Sequence, residues 1–579
     1  MTSTIQREYI LIIGQLSLPK KEKNMYTLSN YILDLVHASG SDHIFGVPGD
    51  YNLKFLDYVM DNKDLEWVGN ANELNASYMA DGYARNRGFA AFVTTFGVGE
   101  LSAINGLSGS IAEHVPVLEI VGSPTTQVQN EGKLVHHTFG DGQFKRFEKA
   151  HKELGIATAY LTKENAVDEV NRIFKYIATT KKPAYINMPT DLVDVPVNRD
   201  LIDHIPELVS PMTLNDNDEM SKKVLTSLEN NGSKIVAIVG HEISRFGLSP
   251  AVENFVTLND IPVTTLGLGK GAINEQLPQF IGTYNGKLSH SSVSKIVDSA
   301  DIILTFGVKL TDSVTGGFTQ SFSPSKTIAI NFDSVHIFEQ AYTENIDMTS
   351  IINQLSDKHI STKSDVNKSD KLSTTTIPLM APSNKPLTQS FYDKAVNGML
   401  KRAQTLVAEQ GTSFFGLVDG ILPENSQFIG QPLWGSIGYS FPAMLGSQIS
   451  NRNNRNILSI GEGSLLLTIQ EFGVLFKKHL NPVIFIIDNT GYTVERVIHG
   501  MDQPYNDVPQ LDYKHLPQLF ANGNDYKYIE VSSELELAQA ITVAETATEI
   551  PVVITVHMAY NDAPDSLIKL GKLFDEQNQ

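Results

Sequence analysis

Short continuous apolar runs constrain this chain more than anything else in it. They fall at 89–95, 115–122, 184–188, 235–240, 302–306, 457–460, 483–487 and 552–556. Each ends in Gly, Pro or Asp and is followed by a helix-like stretch. Unbroken rather than alternating apolarity at this length belongs to strands buried on both faces. Strands alternating with helices throughout imply an α/β chain of doubly wound parallel sheets. Two polar stretches interrupt the rhythm. Residues 198–220 carry Pro206, Pro211 and Asn215, and residues 356–386 are rich in Ser, Thr, Lys and Asp. Both read as linkers. Three domains are therefore expected over 25–200, 212–355 and 387–579, with 356–386 joining the last two, and they could share a topology. A length of 579 residues agrees, since domains run to roughly 100–200 residues each.

Composition enters as a set of exclusions. The chain has no Cys, which removes disulfide frameworks, cysteine metal sites and thiol nucleophiles. Lys and Arg total 45 against 65 Asp and Glu, a formal charge of −20; such a surface repels phosphate backbones, so nucleic acid is not an expected partner. No uninterrupted apolar stretch approaches the roughly 20 residues of a membrane span. Residues 1–24 hold an apolar run at 9–13 followed by Lys20, Lys21 and Lys23. A signal peptide has the opposite order, so this segment reads as a disordered extension and the protein as cytoplasmic.

The most informative segment is 456–495. A strand is expected over 457–460, then the loop Gly461-Glu462-Gly463-Ser464, a helix over 465–480, and a second strand over 483–487 running into Asp488-Asn489-Thr490-Gly491. In a right-handed βαβ unit both strands are parallel, so both loops open on one sheet edge. The Glu462 carboxylate, the Asn489 amide oxygen and a nearby backbone carbonyl are then expected to converge. Hard oxygen donors of this kind suit Mg2+. Gly463 allows close approach, and Ser464 with the free N–H groups of the helix start faces an anion. A Mg2+-diphosphate site results. Gly-x-Gly alone also fits an ordinary βα turn; the acid between the glycines, with Asn489 at the next strand end, narrows the choice. No Gly-Lys-Ser/Thr and no Gly-x-Gly-x-x-Gly follows, which disfavours a Walker loop or a dinucleotide fingerprint.

Other residues are ambiguous singly. Glu73, in a helix among Leu74, Ala76, Tyr78, Met79 and Ala80, reads as a substantially buried carboxylate that needs a partner, or as part of a solvated face. Asp50, in Phe45-Gly-Val-Pro-Gly-Asp50-Tyr-Asn52, would also serve as a helix N-cap. His136 and His137 are adjacent, so their side chains are not expected to project together as an i, i+4 metal pair would; shared ligation of a metal is not expected, and surface histidines are the plain alternative. Glu495 falls in the first turn of a helix, where a carboxylate also complements the dipole. Ile437 alone would be ordinary core.

Together these motifs carry a resemblance. Gly461-Glu462-Gly463, residues 464–487, then Asp488-Asn489 resembles the thiamine diphosphate motif, with Glu462 where Asp is typical and Asp488 where Asn is frequent. Gly49-Asp-Tyr-Asn, Asn72-Glu-Leu-Asn-Ala, Thr95-Phe-Gly-Val-Gly-Glu-Leu-Ser-Ala, His136-His137-Thr, Leu433-Trp-Gly-Ser-Ile-Gly and Gly491-Tyr-Thr-Val-Glu all resemble the 2-keto acid decarboxylases, a group that includes pyruvate, indolepyruvate and branched-chain enzymes. The likeness runs from about residue 25 to 579.

The resemblance implies thiamine diphosphate and Mg2+ as cofactors and a small 2-keto acid as substrate, released as aldehyde and CO2. It implies that Glu73 bonds the cofactor's pyrimidine nitrogen, and that Asp50, His136, His137 and Glu495 relay protons. Ile437 would sit under the cofactor, with Thr412, Gly435, Gly463, Ser464, Asn489 and Tyr492 around it; Glu462, Asn489 and Gly491 would hold the metal. It further implies a homodimer or homotetramer with active sites at subunit interfaces, and a central domain that contributes Ser313 to the substrate approach. The pocket would comprise Gln410, Phe414, Val494, Ile498, Leu570 and Phe574. Val494 and the closing Leu570-Gly-Lys-Leu-Phe574 resemble the branched-chain subgroup, with Ile498 one turn beyond Val494 on the same side. Pyruvate or indolepyruvate is the alternative substrate, an acetolactate synthase-like carboligase a more distant one, and a scaffold that has lost its metal the third.

Overall fold

The computed structural model describes residues 25–211, 217–229, 234–361 and 381–578. The extension at 1–24 and most of the 356–386 linker lie outside the described residues. Three sheets carry the fold. In the first, the strands run in the order Glu66–Gly69, His43–Gly46, Ala90–Thr95, Val117–Ser123, Ala184–Pro189, Ala157–Tyr160, all parallel. The third repeats that order with Gln427–Ile429, Thr405–Ala408, Asn456–Gly461, Val483–Asp488, Val552–His557 and Lys527–Val531. The two sheets share one topology, and their central strands are buried on both faces, as continuous apolarity requires.

The central sheet departs from the all-parallel expectation. Beside its parallel strands, Ile302–Phe306 pairs with Thr327–Asn331, which turns back antiparallel into Ser334–Ile337 and then Gln340–Tyr342. Only Phe332 and Asp333 separate Thr327–Asn331 from Ser334–Ile337, too few residues for a parallel crossover. The strand 327–331 alternates buried with half-buried residues, the mark of a strand with one partly solvated face.

Two further expectations change. The helix after Gly461 starts at Glu462 and is broken: Glu462–Thr468, a 3-10 turn Ile469–Glu471, then Phe472–Lys477. Thr468 Oγ1 donates to the Gly438 carbonyl at 2.9 Å, and φ there is −133°. The segment beginning at 198 carries the 3-10 turn Arg199–His204 and the helix Ile205–Val209, whose Leu201, Ile202, Leu208 and Val209 pack onto the first domain's core.

First and third domains share a core. The helix Glu73–Arg87 lies against Ser440–Ser450, with Tyr78, Met79, Tyr83, Phe441 and Met444 buried between them. Contact is close enough that glycine is required on both sides. A Cβ on Gly82 would fall 2.0 Å from the Ala443 carbonyl oxygen, and one on Gly446 1.9 Å from that of Met79. Arg85 is buried beside this seam, paired with Asp81 at 2.7 Å and Glu113 at 2.8 Å.

Candidate active site

Strands Asn456–Gly461 and Val483–Asp488 pair in parallel with Gly461 opposite Ile487, so both carboxyl ends open on one edge. Glu462 is the first residue of its helix and is buried; its Oε1 accepts from the Gly491 N–H at 2.6 Å. Burial pushes its carboxyl up to about 7, and the neighbouring Asp488 charge adds to the rise. Asp488 Oδ2 lies 2.9 Å from His557 Nδ1, while its Oδ1 is buried without a partner. Asn489 is buried at the same edge. Two carboxylates in a dry site, one with an orphaned oxygen, and an amide oxygen beside them form a donor set that fits a hard divalent cation. Tyr492 closes over Gly463, where a Cβ would be 2.6 Å from the ring. Ser464 is buried in the first turn of the helix.

Three residues that sequence patterns did not mark hold this region. Arg496 donates to the carbonyls of Asn489 at 3.1 Å and Thr490 at 2.8 Å and pairs with Asp507, fixing the loop after Val483–Asp488. Glu409 accepts from the amides of Gln410, Gly438 and Ser440 and from the Ser440 hydroxyl; burial pushes its carboxyl up to about 7. It thereby fixes the loop that carries Gly435 and Ile437. Ile437 is 37% exposed, not the core residue its type alone implies. At Gly435 (φ 65°) a Cβ would meet only Gln410 Cγ, 4.0 Å away, so the space over this glycine is open. Gln410 Oε1 is buried and unpartnered nearby, and Thr412 begins a helix behind Gly411 at φ 127°.

Asp50, His136 and His137 do come together. His136 Nε2 lies 2.7 Å from Asp50 Oδ2 and His137 Nε2 3.6 Å from Asp50 Oδ1, with the two rings 4.6 Å apart. The expectation that adjacent histidines diverge is corrected by the backbone: His137 sits at φ 59°, which swings its side chain to the face its neighbour uses. Tyr51 stacks on His136 at 5.0 Å, its hydroxyl 3.4 Å from Nδ1. Asp50 is not a helix cap; Asn52 occupies that position.

Glu73 is half-buried rather than buried, because it is the first residue of its helix, with Asn72 as N-cap. Its Oε1 lies near Gly99, 3.3 Å from where a Cβ there would be. The third unmarked residue is Glu471, which accepts from the Ala71 N–H at 3.0 Å, Asn75 Nδ2 at 3.0 Å and Asn70 Nδ2 at 3.3 Å, clasping the turn that presents Glu73.

Glu495 is exposed in the first turn of Thr493–His499. Phe414, Val494, Leu570 and Phe574 share one apolar cluster; Ile498 is not in it, and Val497 makes that contact instead. Ser313 Oγ donates to the Pro432 carbonyl at 2.9 Å, setting the central domain against the loop that leads to Gly435. Among the described residues, no hydrogen bond or ion pair joins Asp50, Glu73, His136 or His137 to Glu462, Asn489 or Glu495.

Comparison with known proteins matches the chain to a family. Residues 26–145 match the thiamine pyrophosphate enzyme N-terminal TPP binding domain, 222–355 the central domain and 420–556 the C-terminal TPP binding domain. An alpha-keto-acid decarboxylase of Mycobacterium leprae is 35% identical over 97% of this chain and 98% of its own length. One of Mycolicibacterium paratuberculosis is 36% identical over 94% and 96% respectively. The fold is that of a thiamine diphosphate-dependent 4-hydroxybenzoylformate decarboxylase of Rhodococcus jostii, with a TM-score of 0.75, 18% identity, and 93% of this chain and 100% of that one covered. With its two TPP-binding sheets of like topology and relatives matched along nearly their whole length, the chain belongs to the thiamine pyrophosphate enzymes, in the alpha-keto-acid decarboxylase branch.

Proposed function

We propose that the protein converts 2-keto acids, branched-chain ones by preference, to aldehydes and CO2, using thiamine diphosphate and Mg2+. The observation that carries this is the pairing of Asp50 with both His136 and His137 in a chain whose third domain brings Glu462 and Asn489 to one sheet edge. The domain division follows: 25–200 for the pyrimidine side and proton relay, 212–355 for assembly, 387–579 for the diphosphate and metal.

Thiamine diphosphate, when bound, supplies the carbon nucleophile and the electron sink that a 2-keto acid lacks. The chain's residues do the rest. Glu462, Asn489 and the Gly491 carbonyl would hold Mg2+, with Ser464 and the amides of the helix start toward the diphosphate. Gly435, Thr412 and Tyr492 would line the cofactor's course, and Ile437 would support it from below. Glu73 would bond the pyrimidine nitrogen. A proton must reach the carbon that loses CO2 and another must leave the hydroxyl oxygen before aldehyde departs. Asp50, His136, His137 and Glu495 would serve in that role, with Tyr51 keeping His136 Nε2 toward Asp50.

Substrate size would be set by Phe414, Val494, Leu570 and Phe574, with Gln410, Ser313 and Ile498 at the margin. Valine at 494 leaves about one methylene more room than isoleucine, worth roughly 1 kcal/mol of discrimination. Assembly into a homodimer or homotetramer is supported by the exposure of apolar residues around both half-sites: Leu134 and Phe139 near the histidines, Ile437 and Leu467 on the third domain. No helix among the described residues is long and apolar enough to cross a membrane; a cytoplasmic location is part of the proposal.

A substrate panel tests the assignment. Aldehyde release from pyruvate, 3-methyl-2-oxobutanoate, 4-methyl-2-oxopentanoate and indolepyruvate should depend on thiamine diphosphate and Mg2+ and be fastest for the branched acids. Best turnover on pyruvate overturns the substrate preference; acetolactate as the main product of pyruvate overturns decarboxylation in favour of carboligation.

A further inference from the structure

We infer that Asp50, His136 and His137 form a second metal site, selective for borderline divalent cations such as Zn2+ or Cu2+ over Mg2+. Each offers one ligand atom, and these atoms all lie within 4.8 Å of one another. The contacts of the Asp50 carboxylate, 2.7 Å from Oδ2 to His136 Nε2 and 3.6 Å from Oδ1 to His137 Nε2, lie on either side of the separation of about 3.4 Å between ligands of a tetrahedral zinc ion. Two imidazoles and one carboxylate suit zinc or copper, whereas Mg2+ prefers oxygen donors throughout.

The site is also held in place. The left-handed backbone of His137 is locked by packing, since a Cβ on Gly97 would lie 1.9 Å from the His137 carbonyl oxygen. Tyr51 stacks on the His136 ring and reaches its Nδ1, the outer-shell contact that orients a ligating histidine with Nε2 toward the metal. With three protein ligands and an exposed face (His136 is 61% exposed), a fourth position stays open to water or to a substrate carboxylate. A cation there would occupy the nitrogen lone pairs that proton transfer needs, so it would inhibit. Metal binding stands on geometry alone; inhibition rests on the proton-relay role proposed above.

The test uses the holoenzyme saturated with thiamine diphosphate and Mg2+, with Co2+ as spectroscopic probe and Zn2+ as competitor. One Co2+ per chain should give the intense visible absorption of a four- or five-coordinate site and be displaced by Zn2+. Asp50→Asn and His137→Gln should abolish it, Tyr51→Phe should weaken it about 10–100-fold, and His515→Gln, an exposed histidine beside Asp512, should leave it unchanged. Absorption that survives Asp50→Asn and His137→Gln, or that excess Mg2+ removes, overturns the site. Zn2+ should suppress decarboxylation reversibly. Zn2+ bound with turnover intact would keep the metal site and refute the relay.

Discussion

Glu471 belongs to the third domain yet holds the turn from which Glu73 projects, so its removal should unfasten the carboxylate proposed to bond the cofactor without touching it. Its Oε1 accepts from the Ala71 amide and Asn75 Nδ2, and its Oε2 from Asn70 Nδ2. Asn75 is fully buried and its Oδ1 already lacks a partner, so it would lose its remaining side-chain bond. Ala71 and Asn70 can recruit water in part. With one fully buried donor orphaned at about 1–3 kcal/mol and two half-shielded ones at less, Glu471→Ala should cost about 2–5 kcal/mol. Glu471→Gln should cost about 1 kcal/mol: its amide oxygen can replace Oε1, leaving only Asn70 facing an NH2. Asn70 cannot flip to compensate, because its Oδ1 accepts from the Gly46 N–H at 3.2 Å. Urea unfolding, amide exchange at Ala71 and turnover should follow the order wild type, Gln, Ala. Equal effects of Gln and Ala, or unchanged exchange at Ala71, would refute the clamp.

Burial raises the Glu100 carboxyl from 4.5 to about 8, with Tyr185 and the Gly97 amide as its partners. The folded protein therefore binds a proton there that the unfolded chain releases above 4.5; stability should fall as pH rises through that window, by up to about 1.4 kcal/mol per unit. Glu100→Gln can keep the bond from the Gly97 N–H on its oxygen and donate from its NH2 to the Tyr185 hydroxyl oxygen, and it should remove this slope; identical pH profiles for variant and wild type would contradict it. Gly82→Ala should cost about 1–3 kcal/mol by driving a methyl into the Ala443 carbonyl, whereas Gly398→Ala, in a helix with nothing within 4 Å, should stabilise by up to about 1 kcal/mol. Differential scanning calorimetry separates the two, and equal shifts would sink the packing account.

The parallel sheets were legible because strands buried on both faces leave continuous apolar runs, and the loop at Glu462 and Asn489 because a βαβ unit fixes where strand ends meet. The antiparallel edge of the central sheet was not, since Thr327–Asn331 alternates and Gln340–Tyr342 is too short to register as a run. The pairing of His136 with His137 hid behind a left-handed residue that is neither Gly nor Asn, the types that announce such a conformation. Glu471 was invisible for another reason: its partners lie 400 residues away in the chain, and no local pattern encodes a contact at that separation. Glu409 likewise gains its role only when Gly438 and Ser440 fold onto it.

In the proposed assembly, the pyrimidine side of one chain meets the metal side of another to complete each active site. Co-expression of a Glu73→Gln chain with an Asn489→Ala chain tests this directly, with mixed dimers isolated by two affinity tags. Each homodimer should be inactive. In the mixed dimer one site would carry both lesions and the other neither, so roughly half of the wild-type activity per dimer should return. If each site were built within a single chain, every site would carry a lesion and the mixed dimer would be as inactive as its parents.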